Sequence, residues 1–197
     1  MGRIDAKIGS PLFAFVISLL AAPLDANQQA LFIEPASIVV DVGAVGAELT
    51  VSYDTVPGGL QTTGAGISVF FDSTKLRLET LTPIYQEGLT QATRTADSVI
   101  VDSSDLDDDH STNKRAIIAY TSFRGRWPDS DSLGPLRLFN VAFAAANKNW
   151  TGETQVNFVV TSLAAGFSSM SRSVTIRIQG DSPYEVPVQP KLGGRQQ

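Results

Sequence analysis

Hydrophobic and polar residues alternate one by one along many short segments of this chain. In ELTVSY, for example, Leu49, Val51 and Tyr53 alternate with polar side chains. An alternation with a period of two places one set of side chains in a core and the other in water, as in a half-buried β-strand. The pattern predicts about nine such strands between residues 31 and 180. They are SIVVDV, ELTVSY, GISVFF, LRLETL, SVIV, RAIIAYTS, FNVAF, QVNFVV and SVTIRI.

Turn signals rich in Gly, Pro and Asp separate these segments. They include PGG at 57–59, DST at 72–74, WPDSDSLGP at 127–135 and TGE at 151–153. No segment longer than about ten residues carries a helical stripe, so the crossover helices that a parallel sheet requires are missing. The sequence therefore predicts an all-β fold, an antiparallel β-sandwich of about nine strands with jelly-roll (Greek-key) topology.

The two ends of the chain differ from the strand region. Two basic residues precede the apolar run PLFAFVISLLAA, which is far shorter than the roughly 20 residues that cross a bilayer. This order predicts a secretory signal peptide over residues 1–26, cleaved after Ala26, and hence a secreted or cell-surface protein. The alternative is a buried first strand or helix. We expect residues 27–36 to be a lead-in, 37–180 the sandwich domain, and 181–197, rich in Pro and Gly, a flexible tail or linker.

Composition limits the chemistry that such a sandwich can carry. The chain has 197 residues, of which 43% are hydrophobic, and this suits a single globular domain. It has no cysteine, which excludes disulfides, thiolate nucleophiles and zinc sites built on sulfur. The formal charge of -5 and the lack of a basic cluster argue against a nucleic-acid partner.

Three longer stretches resemble a known family of sandwich domains. They are SIVVDVGAVGAELTVSYDTV, GAGISVFFDSTKLRLETL and LRLFNVAFAAANKNWTGETQVNFV. Their order of a Gly-rich turn before an alternating strand, an apolar strand ending in Asp, and a late Phe-rich strand is similar to that of cohesin and carbohydrate-binding-module domains. The insertion that begins at Asp102 is similar to a variant found in secreted or surface proteins outside cellulosomes. One departure is Gly46-Ala47-Glu48, where classical members often have Gly-Asp.

This resemblance implies a nine-stranded jelly roll without enzymatic activity, whose faces or loops bind a partner protein or a polysaccharide. It carries over no contact residue, because variable side chains form the binding surface of such domains. We therefore expect a non-catalytic binding module that acts at or outside the cell surface. A structural adhesin or surface-layer module is the alternative, and a glycoside hydrolase is a more distant one.

The segment DSSDLDDDHSTNK holds five carboxylates and the only histidine of the chain. Asp105, Asp107 and Asp109 have the one-three-five spacing of an EF-hand loop, but His110 stands at the Gly position and Ala116 at the Glu position. The segment is therefore not an EF-hand. Crowded carboxylates repel one another unless a cation or water screens them. One hypothesis is a solvated inter-strand loop, and the other is a structural calcium site with the ligands Asp102, Asp105, Asp107 and Asp109.

Catalysis finds little support in this segment. Glycoside hydrolysis needs two carboxyl groups about 5 to 10 Å apart, one of them with a raised pKa. Asp107 and Asp109 project to the same side of an extended chain, but an exposed loop provides neither burial nor a cleft. No G-x-S-x-G motif accompanies His110. We expect no enzymatic activity.

Two tryptophans in predicted loops are the candidates for contact with a glycan. Trp127 lies in FRGRWPDSD beside Arg124 and Arg126, whose guanidinium groups can donate hydrogen bonds to sugar hydroxyls, and Trp150 lies in NKNWTGE. These four residues form the predicted ligand-binding set. The competing hypothesis is that Trp127 caps one end of the core.

Overall fold

A computed structural model describes residues 27–44, 46–86, 88–93, 100–103, 105–128 and 134–180. The predicted signal peptide, residues 1–26, and the predicted tail, residues 181–197, lie outside these ranges. The regular secondary structure of the described residues is entirely extended. No helix in these ranges is long and apolar enough to span a membrane.

Twelve β-strands occur in the described part of the chain. In chain order they are Gln28–Glu34 (β1), Ser37–Asp41 (β2), Ala47–Val56 (β3), Gly64–Phe71 (β4), Leu76–Pro83 (β5), Thr90–Thr93 (β6), Ile100–Val101 (β7), Lys114–Thr121 (β8), Leu136–Ala145 (β9), Gly152–Ser162 (β10), Ser168–Met170 (β11) and Arg172–Gln179 (β12). The first sheet has the order β11-β1-β3-β9-β5. The second has the order β2-β12-β10-β4-β8-β6, with β7 also paired to β8.

The connections between strands explain how the two sheets enclose one core. Apart from β6 and β7, which are each followed by another strand of the second sheet, every strand is followed by a strand of the opposite sheet. This alternation is of the Greek-key, jelly-roll type. The predicted all-β sandwich is confirmed, and each of the predicted segments has a strand in the structure.

Three strands, β1, β6 and β11, were not among the predicted segments. Strand β1 lies in the expected lead-in, so the first sheet already includes residues before position 37. Most neighbouring strands are antiparallel, as predicted, but β1 with β11 and β2 with β12 are parallel pairs at the sheet edges. A parallel pair needs a long connection between its strands, and the intervening body of the sandwich supplies it.

The core consists of the inward-facing residues of both sheets. On β3, Leu49, Val51 and Tyr53 are fully buried, as their alternation predicted. Phe71 of the second sheet and Phe143 of the first meet edge to face, with ring centroids 5.3 Å apart. Burial of each such side chain stabilises the fold by about 1.5 to 3 kcal/mol. Because the inward-facing side chains are buried, a ligand can bind only at the ends of the sandwich or on the outer faces of its two sheets.

Candidate functional site

The acidic segment folds back against the second sheet. Asn113 closes its base, because its backbone N–H donates to Phe71 O at 3.1 Å and its carbonyl accepts from Asp102 N at 3.1 Å. Asn157 of β10 holds the other side, since its Nδ2 donates to Asp107 Oδ2 at 2.9 Å and to Asp109 Oδ2 at 3.0 Å. The segment is therefore tied to the sandwich at two places.

An outward-pointing aromatic residue is buried beside this contact, on the outer side of the second sheet. Phe70 alternates with the core residues Val69 and Phe71 and so points away from the core, yet it is 0% exposed. Its partner across β10 is Asn157, the residue that binds the acidic segment. The acidic segment is therefore bound next to the buried Phe70 on this outer face.

Three of the predicted metal ligands lie together. Asp102, Asp105 and Asp107 each offer a carboxylate oxygen, and these oxygens lie within 4.8 Å of one another. Asp107 Oδ2 accepts hydrogen bonds from Thr112 Oγ1 and from Asn157 Nδ2, both at 2.9 Å. Asp107 Oδ1 is buried and has no hydrogen-bond partner among the described residues. A buried carboxylate oxygen without a donor is costly, and a hard cation would satisfy it.

The fourth predicted ligand, Asp109, is not part of this cluster. Its Oδ1 accepts from the backbone and the hydroxyl of Ser111, at 2.9 and 2.6 Å, and its Oδ2 accepts from Asn157. The hydrogen bonds from Ser111 lower the pKa of Asp109. Asp109 is therefore ionised at neutral pH and is no donor of the proton that glycoside hydrolysis requires. His110 Nδ1 lies 2.7 Å from Asp105 Oδ2, with the His110 side chain 92% exposed.

Trp127 lies in the core at the opposite end of β4. It is 3% exposed, and its ring lies 4.9 Å from that of Tyr53. Its backbone pairs with Thr62, because Thr62 N donates to Trp127 O at 2.6 Å and Trp127 N donates to Thr62 O at 3.2 Å. The ring faces are thus occupied by protein. The structure supports the hypothesis that Trp127 caps the core, and it disagrees with Trp127 as a platform for a sugar ring.

A buried hydrogen-bond network supports this end of the core. Gln29 Nε2 donates to Tyr53 OH at 2.7 Å and to Gly64 O at 2.9 Å, and Gln29 Oε1 accepts from Ala164 N at 2.8 Å. Burial raises the pKa of Tyr53, although hydrogen bonds with Thr62 and Gln29 oppose the shift. The phenol remains neutral at physiological pH, so it holds the end of the sandwich as a hydrogen-bonding group.

A groove of about 570 Å³ lies beside Trp127, between the loop that precedes β6 and the loop that follows β8. We call it the Arg groove. Two predicted residues, Arg124 and Arg126, line it and are exposed. Phe123 also lines it and is 85% exposed. The described residues that line it are Gly88, Leu89, Thr90, Ser122, Phe123, Arg124, Arg126 and Trp127. The Arg groove therefore unites three of the four predicted ligand-binding residues, but with a different aromatic ring exposed.

Trp150 lies elsewhere. It packs half-buried against the core, and Lys75 Nζ is 5.4 Å from its ring centroid. Lys75 follows the end of β4, whereas the Arg groove lies near its start. Phe123, Leu89 and Thr90 line the Arg groove but were not among the predicted binding residues. A signal for Phe123 was present, because a large apolar residue directly before the Arg-Gly-Arg turn has no core position in the alternating pattern.

The outer face of the first sheet is open and is built from short and charged side chains. On β3, Glu48, Thr50, Ser52 and Asp54 alternate with the buried residues, so they point outward. Cross-strand pairing places Thr50 between Glu34 of β1 and Asn140 of β9, and Asn140 beside Thr82 of β5. We call this surface the open face. Its side chains include Phe32, Glu34, Glu48, Thr50, Ser52, Asp54, Arg77, Thr82, Arg137, Asn140 and Ala142.

Solved structures that are similar to this chain are cohesin modules, the family that the strand motifs resemble. A cohesin module of a family 33 glycoside hydrolase from Clostridium perfringens is 11% identical, with 79% of this chain and 98% of that chain covered and a TM-score of 0.49. A cohesin from Clostridium acetobutylicum is 13% identical, with 80% and 95% covered and a TM-score of 0.46. The seventh ScaB type I cohesin from Pseudobacteroides cellulosolvens is 11% identical, with 80% and 96% covered and a TM-score of 0.46.

No protein-family model matches the sequence. A search of the curated proteins likewise gave no match.

Proposed function

We propose that this chain is a non-catalytic binding module that docks a protein partner on its open face. The observation that carries the proposal is a continuous surface over four strands with short side chains in its middle and charged side chains around it. Four adjacent strands span about 14 Å across the sheet. Another folded surface can approach such a face without obstruction, and a polar rim around a less polar centre is typical of specific protein interfaces.

One aromatic side chain offers an anchor on this surface. Phe32 of β1 is 38% exposed and pairs across the sheet with Ser52, whose short side chain leaves the ring accessible. Apolar and aromatic residues surrounded by smaller contacts contribute most of the binding energy in many interfaces. Phe32 is therefore the residue of the open face whose loss should weaken docking most.

The charges around the open face favour a basic partner. Glu34, Glu48 and Asp54 contribute acidic groups. Arg77 is engaged by Glu79 through a hydrogen bond of 2.6 Å, so the three carboxylates outnumber the remaining cation, Arg137. Complementary charge steers association and fixes the partner's orientation. We expect docking to weaken as salt is added, because exposed charges are screened over about 8 to 10 Å at 0.1 to 0.15 M ionic strength.

The proposal places this module outside the cell. A basic start, a short apolar run and small residues up to Ala26 support export.

The test compares one substitution on each sheet. Thr50 and Thr175 are both half-buried threonines that point outward, on β3 and β12 respectively. Proteins secreted by the producing organism are passed over the immobilised chain, and a retained partner is purified and titrated against it. Thr50→Arg places a long side chain in the middle of the open face and should weaken binding by about tenfold or more.

Thr175→Arg is the matched control and should bind as the unmodified chain does. Both variants should melt within a few degrees of the unmodified chain, since surface substitutions usually change stability little. Equal binding by the unmodified chain and Thr50→Arg, or loss with Thr175→Arg instead, would overturn the proposed docking face. Retention of no protein would overturn the protein-partner function itself.

We also propose that the cluster of Asp102, Asp105 and Asp107 holds a structural calcium ion. Calcium accepts oxygen ligands in irregular geometry, and the buried, undonated Oδ1 of Asp107 fits that requirement. The ion would neutralise the crowded carboxylates and stiffen the acidic segment. It would take no part in chemistry.

A further inference from the structure

We propose that the Arg groove is a second binding site, separate from the open face, and that its ligand is a polysaccharide that carries carboxylate groups. The groove lies at the end of the sandwich that Trp127 closes, whereas the open face lies on the flat side of the first sheet. Its volume of about 570 Å³ falls within the roughly 300 to 1,000 Å³ of small-molecule sites. The proposal does not depend on the protein partner proposed above.

The described lining of the Arg groove is positively charged. The chain as a whole carries a formal charge of -5, yet the described lining of the groove contains two arginines and no carboxylate. Two exposed arginines elsewhere have ion-pair partners, Arg77 in Glu79 and Arg177 in Glu153. Among the described residues, neither Arg124 nor Arg126 has an ion-pair partner. Guanidinium groups bind carboxylates through paired hydrogen bonds, so the groove presents two unused anion-binding groups.

The rest of the described lining combines an exposed aromatic ring with apolar and hydroxyl groups. Phe123 exposes 85% of its surface, and an aromatic ring in such a position offers a flat apolar face to the C–H side of a sugar ring. Leu89 lies beside it, and Thr90 adds a hydroxyl. An anchor residue of a peptide requires a closed pocket from which water is expelled. This groove is open and mixes polar with apolar groups, which suits a ligand rich in hydroxyl groups better.

Backbone hydrogen bonds hold the loop of residues 122–127 in place. Ser122 N donates to Thr63 O at 2.9 Å before the exposed residues, and Gly125 N donates to Ser122 O at 3.1 Å within them. Gly125 has a φ of +64°, which a glycine adopts without strain. The paired Thr62 and Trp127 fix the loop's end. A ligand therefore loses little binding energy in ordering this backbone.

The test measures the retardation of the full chain in a native gel that contains polygalacturonate. The double variant Arg124→Gln/Arg126→Gln should lose affinity by about tenfold or more, because two charge-assisted hydrogen-bonding groups are removed. Phe123→Ala should lose affinity by about threefold to tenfold. Two matched controls keep full affinity. Arg177→Gln removes one exposed positive charge on β12, outside the described lining of the groove, and Tyr85→Ala removes an aromatic side chain that is 78% exposed but does not line the groove.

Two further gels separate the possible ligands. Methyl-esterified polygalacturonate keeps the sugar ring without the carboxylate and should retard the chain much less. Polyglutamate tests an acidic peptide as ligand, and stronger retardation there than with polygalacturonate would overturn the proposal. So would the absence of retardation by polygalacturonate, or equal retardation of the double variant. Thr50→Arg should leave polysaccharide binding intact, so failure of this proposal and failure of the open-face proposal are distinguishable.

Discussion

Asn157 donates a hydrogen bond from its side-chain amide to Asp107 across 2.9 Å, and this bond joins the second sheet to the acidic segment. The same nitrogen also donates to Asp109, while Asn157 Oδ1 accepts from Ser173 Oγ at 2.6 Å. One amide thus orients two carboxylates that would otherwise repel each other. Its position directly across from Phe70 makes it the link between the acidic segment and the outer side of β4 and β10.

Replacement of this amide should release the acidic segment. In Asn157→Ala the two carboxylates lose their shared donor, and hydrogen bonds to charged groups contribute about 1.5 to 3 kcal/mol each. We expect the free energy of unfolding to fall by about 2 kcal/mol. Hydrogen exchange of the backbone amides in residues 105–113 should become faster, while exchange in β3 stays unchanged.

Asn149→Ala is the matched control, because Asn149 is exposed in the turn before β10. It should change neither the unfolding free energy nor the exchange rates of the acidic segment. Unchanged protection of residues 105–113 in Asn157→Ala would show that other contacts hold this segment.

Loss of the indole of Trp127 should damage the fold itself. Trp127→Ala removes a ring that is 3% exposed and stacked on Tyr53. Large-to-small substitutions of a buried Trp cost about 3 to 5 kcal/mol, and urea unfolding measures this loss. Trp150→Ala, at a half-buried tryptophan, should cost clearly less. If Trp127→Ala unfolds at the same urea concentration as the unmodified chain, the indole does not hold that end of the core.

The strands of this fold could be predicted because alternation reports directly on burial. Leu49, Val51 and Tyr53 on β3 are buried as their positions indicated. The alternation failed for β1 because its middle residues Ala30 and Leu31 are both buried, so polar and apolar positions no longer alternate. It failed for β6 and β11 because these strands have only four and three residues, respectively, too few to show a period of two.

The site was less predictable, because its geometry depends on contacts between distant parts of the chain. Asp102, Asp105 and Asp107 are close in sequence, and their grouping was predicted. Asp109 was assigned to the same group, but Ser111 and Asn157 bind its oxygens instead. Trp127 was placed correctly in a loop, whereas its burial follows from Tyr53 and Thr62, which the sequence does not connect to it.

Acid should destabilise the fold through two carboxylates. Burial alone raises the pKa of Asp72, but hydrogen bonds from Thr74 and the nearby Lys75 outweigh it, so the pKa is lowered. Hydrogen bonds from Ser111 lower the pKa of Asp109. A group with a lowered pKa in the folded state binds protons more readily when unfolded. Its contribution is therefore present above the unfolded value of about 3.9 and is lost as pH falls through the folded pKa.

Urea unfolding between pH 7 and pH 2.5 measures this dependence. The free energy of unfolding should decline below about pH 4. Asp72→Asn should be less stable at pH 7, because Lys75 loses its partner at 2.9 Å, and its decline in acid should be shallower. The control Asp41→Asn, at an exposed position of β2, should show the same decline as the unmodified chain. A decline in Asp72→Asn that is as steep as in the unmodified chain would assign the acid sensitivity to other groups.

Calcium should stabilise the chain if the acidic cluster holds it. A ligand that binds only the folded state adds about 2.7 kcal/mol at one hundred times its Kd, so about 5 mM calcium should raise the Tm by about 5 °C or more. Asp107→Asn removes one charge at the oxygen that lacks a donor and should abolish most of the rise, whereas Asp41→Asn should retain it. Magnesium should act much more weakly, because it demands octahedral geometry and releases its water reluctantly. An identical Tm with calcium and with chelator, in a chain that is fully folded at the start, would leave the acidic segment as a solvated loop held by Asn157.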